Sequence, residues 1–294
     1  MIEFLSAKDI DKISFDILKG SKSWGIFPTP VDKIVDYAEL LVNNKIDIAT
    51  VHESYLHKAS DALFKALSKI RGLLDRRQKT IYLDLSQLPS RKNFVKLHEV
   101  GHDVLPWQKK VHDIIEDDDD SLGFGANEEF EIEANYFASV TLFQHDLFLA
   151  EAKKLNLGLD SAKYLSKLFG ASLHATLRRY VENSPKRCAL IVLEKSVLHS
   201  SKCLKRNYFA SKKFVEFFGV VKLPDEFGYT WEFAKDYFFG KRGIIASNLS
   251  LSTENGTEKF TYHFFNNSYN GFVLLFPVGE KQSSRTKIII SKSL

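Results

Sequence analysis

The chain has 294 residues, 44% of them hydrophobic, enough to bury a sizeable core as one large domain or two. Its formal net charge of +4 at pH 7 is too modest to imply nucleic acid by itself. Two cysteines, Cys188 and Cys203, do not make a disulfide framework and read as reduced thiols. The opening Met1-Ile2-Glu3-Phe4-Leu5 lacks the charged and apolar regions of a signal peptide, and apolar runs such as 271–278 are too short for a bilayer. A cytoplasmic protein is expected.

Residues from about Asp9 to Leu67 read as helical with breaks. Val31, Ile34, Val35, Ala38 and Leu41 recur at helical spacing, with Thr29 placed to cap that helix and Pro30 to open it. His52 and His57 stand at loose spacing and read as surface or core residues. The stretch Thr80-Ile81-Tyr82-Leu83-Asp84-Leu85 is β-branched and aromatic, so it reads as a strand. Pro89-Ser90 then supplies a turn and an N-cap for a helix from about Arg91. Phe94, Leu97, Val104 and Leu105 give that helix an apolar stripe, and Pro106 stops it.

This helix carries His98-Glu99-Val100-Gly101-His102. Histidines four apart lie one above the other on a helix face, and neutral imidazoles are good Zn²⁺ ligands. Glu99, beside a ligand, is placed to take a proton from a metal-activated water. Strand, turn and active-site helix make a zincin-like arrangement, in which a strand edge holds a peptide in extended form. The acidic run from Glu116 to Asp120 reads as a solvated loop, with His112 a spare candidate ligand.

A catalytic site needs a third protein ligand. The stretch from Asn127 to Ala138 reads as a second helix. Glu131 and Asn135 share one face of it, whereas Glu133 lies about 200° round from Glu131. Only one of those two glutamates can readily face the metal, and this geometry leaves Glu133 and Glu128 open. With Glu131 as ligand, Asn135 falls where an outer group holds a ligating histidine.

Residues 160–170 and 172–180 make two short helices around a glycine, a pair resembling a helix-turn-helix. Arg178 and Arg179 are its obvious base-edge donors, and packing against the core is the favoured role. From about Arg187 the chain becomes β-rich, with strands expected at 188–193, 217–221, 259–265, 271–276 and 287–290. Asn255-Gly256 reads as a hairpin turn and Thr230 to Tyr237 as a short helix. Between Lys186 and Lys222 basic residues dominate, so one face there is suited to an acidic partner.

The pattern His98-Glu99-x-x-His102, followed by Glu131-Ile132-Glu133-Ala134-Asn135-Tyr136-Phe137-Ala138 and Leu142, resembles the ImmA/IrrE family of zinc-dependent metallopeptidases. The resemblance implies His98, His102 and Glu131 as Zn²⁺ ligands and Glu99 as catalytic base. It also implies a protein substrate, namely a helix-turn-helix transcriptional repressor. The chain departs from the family at Thr141-Leu142-Phe143-Gln144, where Leu-Leu-Met-Pro is common. The resulting expectation is an α+β protein. A mainly helical zincin-like core with a small sheet spans 1–185, including the helical pair at about 160–180, and a β-rich domain for substrate binding or sensing spans 186–294. The rival readings are a metal-binding transcriptional regulator without peptidase activity and a zinc-dependent amide hydrolase of small molecules.

Overall fold

The computed structural model describes residues 6–48, 72–110, 124–196, 201–239 and 243–280, with side chains of 124–127 left aside. His52, His57, His112, the acidic run and the strand expected at 287–290 lie outside the described residues. By its internal contacts the chain divides into two compact units. The first comprises Met1–Phe148 and Lys167–Ser172, and the second Leu149–Ser166 and Leu173–Leu294.

In the first unit, helix α1 (Ala7–Gly20) buries Ile10, Ser14, Ile17 and Leu18, one face at helical spacing. Helix α2 (Val31–Tyr37) begins after Pro30, and the Thr29 hydroxyl does not cap it. That hydroxyl donates instead to the Leu142 carbonyl at 2.7 Å. Glu39, in the left-handed region at φ 58°, ends the helical path. Leu41 therefore opens strand β1 (Leu41–Asp47), where helix had been expected.

Strands β2 (Gly72–Asp75) and β3 (Thr80–Leu83) complete a three-stranded sheet of order β1-β3-β2. β1 runs parallel to β3 and β2 antiparallel to it. β3 is thus interior, paired on both edges, and the strand read as able to hold a peptide has no free edge. β2 has one, among the described residues.

Helix α3 (Pro89–Val104) carries the histidines. It starts two residues earlier than expected, with Leu88 as N-cap and Pro89 in the first turn, where a missing N–H costs nothing. Helix α4 (Phe124–Leu142) crosses it closely. At Gly101 a Cβ would sit 3.1 Å from Phe137 Cδ1 and 3.3 Å from the Ala134 Cα, so glycine facing alanine sets the approach. The departure at 141–144 has a use as well. Thr141 bonds Ser14 of α1 at 2.8 Å. Gln144 is fully buried, accepting from Gly25 N and donating to the Ile26 carbonyl and the Thr29 hydroxyl. Polar residues there pin α1 and the 25–29 loop to α4.

The second unit takes in helices α6 (Leu159–Phe169, up to Ser166) and α7 (Leu173–Glu182), after α5 (Asp146–Lys153) at the junction of the two divisions. It is built on a six-stranded sheet of order β6-β5-β4-β9-β8-β7. Its strands are β4 (Ala189–Lys195), β5 (Cys203–Ala210), β6 (Glu226–Phe227), β7 (Ile245–Thr253), β8 (Gly256–Asn266) and β9 (Gly271–Pro277), all antiparallel to their neighbours. Every residue of β9 is buried, because both faces of the sheet are covered. Ala189, Ile191, Leu193, Val273 and Leu275 face one core with Phe214, Phe218 and Phe233. α7, burying Leu177, Tyr180 and Val181, packs on β4 and β5. This division falls elsewhere than at residue 185, since α7's apolar face belongs to the β-rich unit.

The strand expected at 217–221 is not formed. Helix α8 (Lys212–Phe218) occupies its start, capped by Ser211, whose side chain accepts from Phe214 N. Phe214 and Phe218 are a helical turn apart and both buried, and Gly219 at φ 67° stops the helix. Asn255-Gly256 does turn the β7–β8 hairpin, with Gly256 at φ 109°. Helix α9 (Glu232–Phe238) lies within the expected 230–237 stretch and one residue beyond.

Candidate metal centre

α3 and α4 bring His98, His102 and Glu131 to one point. The two Nε2 atoms are 3.1 Å apart. His98 Nε2 lies 3.3 Å from Glu131 Oε2, and His102 Nε2 lies 3.3 Å from Oε1. A tetrahedral ion with ligand bonds of about 2.0–2.1 Å has edges of about 3.3–3.4 Å, so the three spacings suit one such ion. Two nitrogen donors and a carboxylate also suit a divalent metal chemically. The histidine side chains are 15% exposed and that of Glu131 60%, which leaves the trio approachable from the Glu131 side. A catalytic site needs that open position.

The charges are coupled. Hydrogen bonds with His102 and His98 hold the Glu131 carboxyl well below the usual carboxylate range. Burial works against the charged form of His102, yet its bonds with Glu131 and Gln108 raise it overall. Burial lifts Glu99 above the ordinary glutamate value; the charges of His98 and His102 oppose this, and Glu131 adds to it. Glu99 is 6% exposed. A Cβ on Gly72 would lie 2.7 Å from Glu99 Oε1 and 2.3 Å from Val95 Cγ1, so β2 runs directly against the glutamate. Arg76, just past β2, donates to the His102 carbonyl at 2.8 Å.

The other candidates sit elsewhere. Glu128 is exposed and outside the trio. Glu133 is 3% exposed and turned away, accepting from Trp107 Nε1 at 2.7 Å, from Gln108 Nε2 at 2.7 Å and from the Ser6 hydroxyl. Asn135 does not reach a histidine: its Nδ2 donates to the Glu131 carbonyl one turn back, at 2.7 Å. The group that does reach one is Gln108, with Oε1 2.8 Å from His102 Nδ1. It lies in a helical turn at 106–110 and was not singled out from sequence, where only its place six residues after His102 was visible.

Residues 49–180 match the peptidase M78 model, described as the IrrE N-terminal-like domain. No curated protein matches the chain. Among solved structures it is similar to one described as a Mycobacterium tuberculosis transcriptional regulator. That likeness has a TM-score of 0.53 and 15% identity over 91% of this chain and 86% of that one, and it shows a shared fold alone. With the metal-type trio inside the matched span, residues 49–180 of this chain belong to the ImmA/IrrE family of metallopeptidases.

Proposed function

We propose that the protein is a zinc-dependent endopeptidase with a zincin-like core, acting in the cytoplasm on a protein substrate. The observation that carries this is the three tetrahedral-edge spacings among His98, His102 and Glu131, with Glu99 buried beside them. His98, His102 and Glu131 would hold the Zn²⁺, which would supply Lewis-acid polarisation of a scissile carbonyl and acidify a water for attack. Glu99, buried beside the trio, is the group placed to take a proton from the attacking water and return it to the leaving amine. The edge of β2, unpaired among the described residues and beside Glu99, offers backbone groups for pairing with an extended peptide. Gly72 leaves room there for the carboxylate.

The substrate class we infer is a helix-turn-helix transcriptional repressor, supported by the family match and by nothing in the site's shape. No helix among the described residues is long and apolar enough to cross a membrane, and Cys188 and Cys203 are unpaired, which agrees with a cytoplasmic setting. The reading as a DNA-binding regulator is weaker, because Arg178 is already engaged with Glu182 at 3.2 Å and lies over the Phe209 ring. Co-expression with the product of an adjacent gene is the direct test. A shortened partner with the wild type but not with Glu99→Gln supports the proposal. A general base contributes about a hundred- to ten-thousand-fold; zinc-loaded Glu99→Gln cutting at the wild-type rate would remove Glu99 from the role.

A further inference from the structure

The trio shows which atoms gather, while the hydrogen bonds behind it show how one of them is prepared. Gln108 is fully buried. Its Nε2 donates to Glu133 Oε2 at 2.7 Å and to the Phe130 carbonyl at 3.2 Å. The direction of these bonds is set by Trp107. An indole N–H can only donate, and it too meets Glu133 Oε2, at 2.7 Å. With that oxygen accepting, the amide of Gln108 has one satisfied orientation, with Nε2 toward Glu133 and Phe130. Reversing it would set Oε1 against two acceptors in a buried site.

That orientation leaves Oε1 facing His102 Nδ1 at 2.8 Å. A carbonyl oxygen can only accept, so Nδ1 carries the hydrogen. A neutral imidazole has one N–H, so Nε2 keeps its lone pair, and Nε2 is the atom turned toward Glu131 and His98. Nothing comparable holds His98, whose Nδ1 is buried without a hydrogen-bond partner among the described residues. We propose that Gln108, oriented by Glu133 and Trp107, is a positioning residue that fixes His102 in the Nδ1–H tautomer and so presents its Nε2 lone pair to the metal. This rests on the metal-centre reading above, and it gives the second glutamate of the Glu131-x-Glu133 pair a separate task.

The test uses full-length protein labelled with ¹⁵N-histidine, metal-free at alkaline pH and zinc-loaded. Both forms are expected to show a protonated His102 Nδ1 that exchanges slowly with water. Gln108→Leu should make that proton exchange freely and weaken zinc binding by about ten- to a hundredfold, read by chelator competition. That change leaves Glu133 and Phe130 short of a donor, so a second variant guards against misfolding. Gln108→Asn keeps an amide N–H for Glu133 and Phe130 while shortening by one methylene the reach to His102, and should likewise free the Nδ1 proton and weaken zinc binding. An unprotonated Nδ1 in the wild type overturns the proposal whatever the variants do. So does a folded Gln108→Leu protein with unchanged zinc affinity. Wild-type protein that shows the Nδ1 proton yet takes up no zinc instead refutes the metal-centre reading and leaves the tautomer assignment standing.

Discussion

The three clustered side chains reach one point from two helices, so their losses should differ from those of nearby glutamates. His98→Ala, His102→Ala and Glu131→Gln are each expected to empty or strongly weaken the site, read as zinc per chain after dialysis. Glu128→Gln should leave that ratio unchanged, and a fall equal to that of Glu131→Gln would mean the trio is misassigned. A second residue-scale expectation concerns acid. Burial lowers both His174 and His263, with charges from Arg206 and Arg178 adding for the first and Asp160 opposing for the second. Below the ordinary histidine value of about 6.5, the unfolded chain takes up protons that the folded one refuses. Stability should therefore be full above about pH 6.5 and fall as pH drops toward the lowered folded values. His263→Phe, set against Phe276 with ring centroids now 5.1 Å apart, should flatten part of that fall in thermal melts between pH 7 and 5. An unchanged slope would show that His263 does not contribute.

At the scale of elements, the site depends on how closely α4 lies on α3. Gly101 faces the Ala134 backbone and Phe137, and Glu131 is one turn from Ala134. Gly101→Leu should force the helices apart, costing about 1–3 kcal/mol as overpacked cores do. Glu131 would move with α4, so zinc affinity should fall even though every ligand is retained. A variant with a lowered melting temperature and wild-type zinc affinity would show that the helix contact does not position the ligand. The small sheet has the same kind of role. β3 is interior and β2 supplies the edge, so a strand readable in sequence carries the one that borders Glu99.

For the whole molecule, the division into units decides what can be removed. A chain ending after Asn183 keeps His98, Glu99, His102 and Glu131 but strips β4 and β5 from the apolar face of α7. Leu177, Tyr180 and Val181 are buried in the full protein. Large apolar side chains are worth about 1.5–3 kcal/mol each when fully buried. The fragment is expected to aggregate or to bind an apolar dye, with α7 frayed. A monomeric fragment with unchanged helix content and a cooperative melt would show that α7 does not need the sheet.

Local chemistry was legible from the chain alone. The i, i+4 histidines, the helix that carries them and the Asn255-Gly256 hairpin depend on contacts within a few residues, and periodicity and turn chemistry report those directly. The same limit explains the misreadings. Leu41 continues a helical spacing but is held by pairing with Thr80, and Phe217-Phe218 looks strand-like until Ser211 caps a helix beneath it. Glu131 and Glu133 are both plausible ligands in sequence, and geometry on one helix could not choose between them. In the folded chain Glu131 meets the histidines, while Glu133 lies in the interior with Trp107, Gln108 and Ser6. Gln108 matters through partners 6, 22 and 25 residues away in the chain, brought together only when α3 and α4 cross. Sequence specified the chemistry of the candidate ligands; long-range packing decided which polar groups touch them, because a buried amide takes its orientation from every neighbour at once.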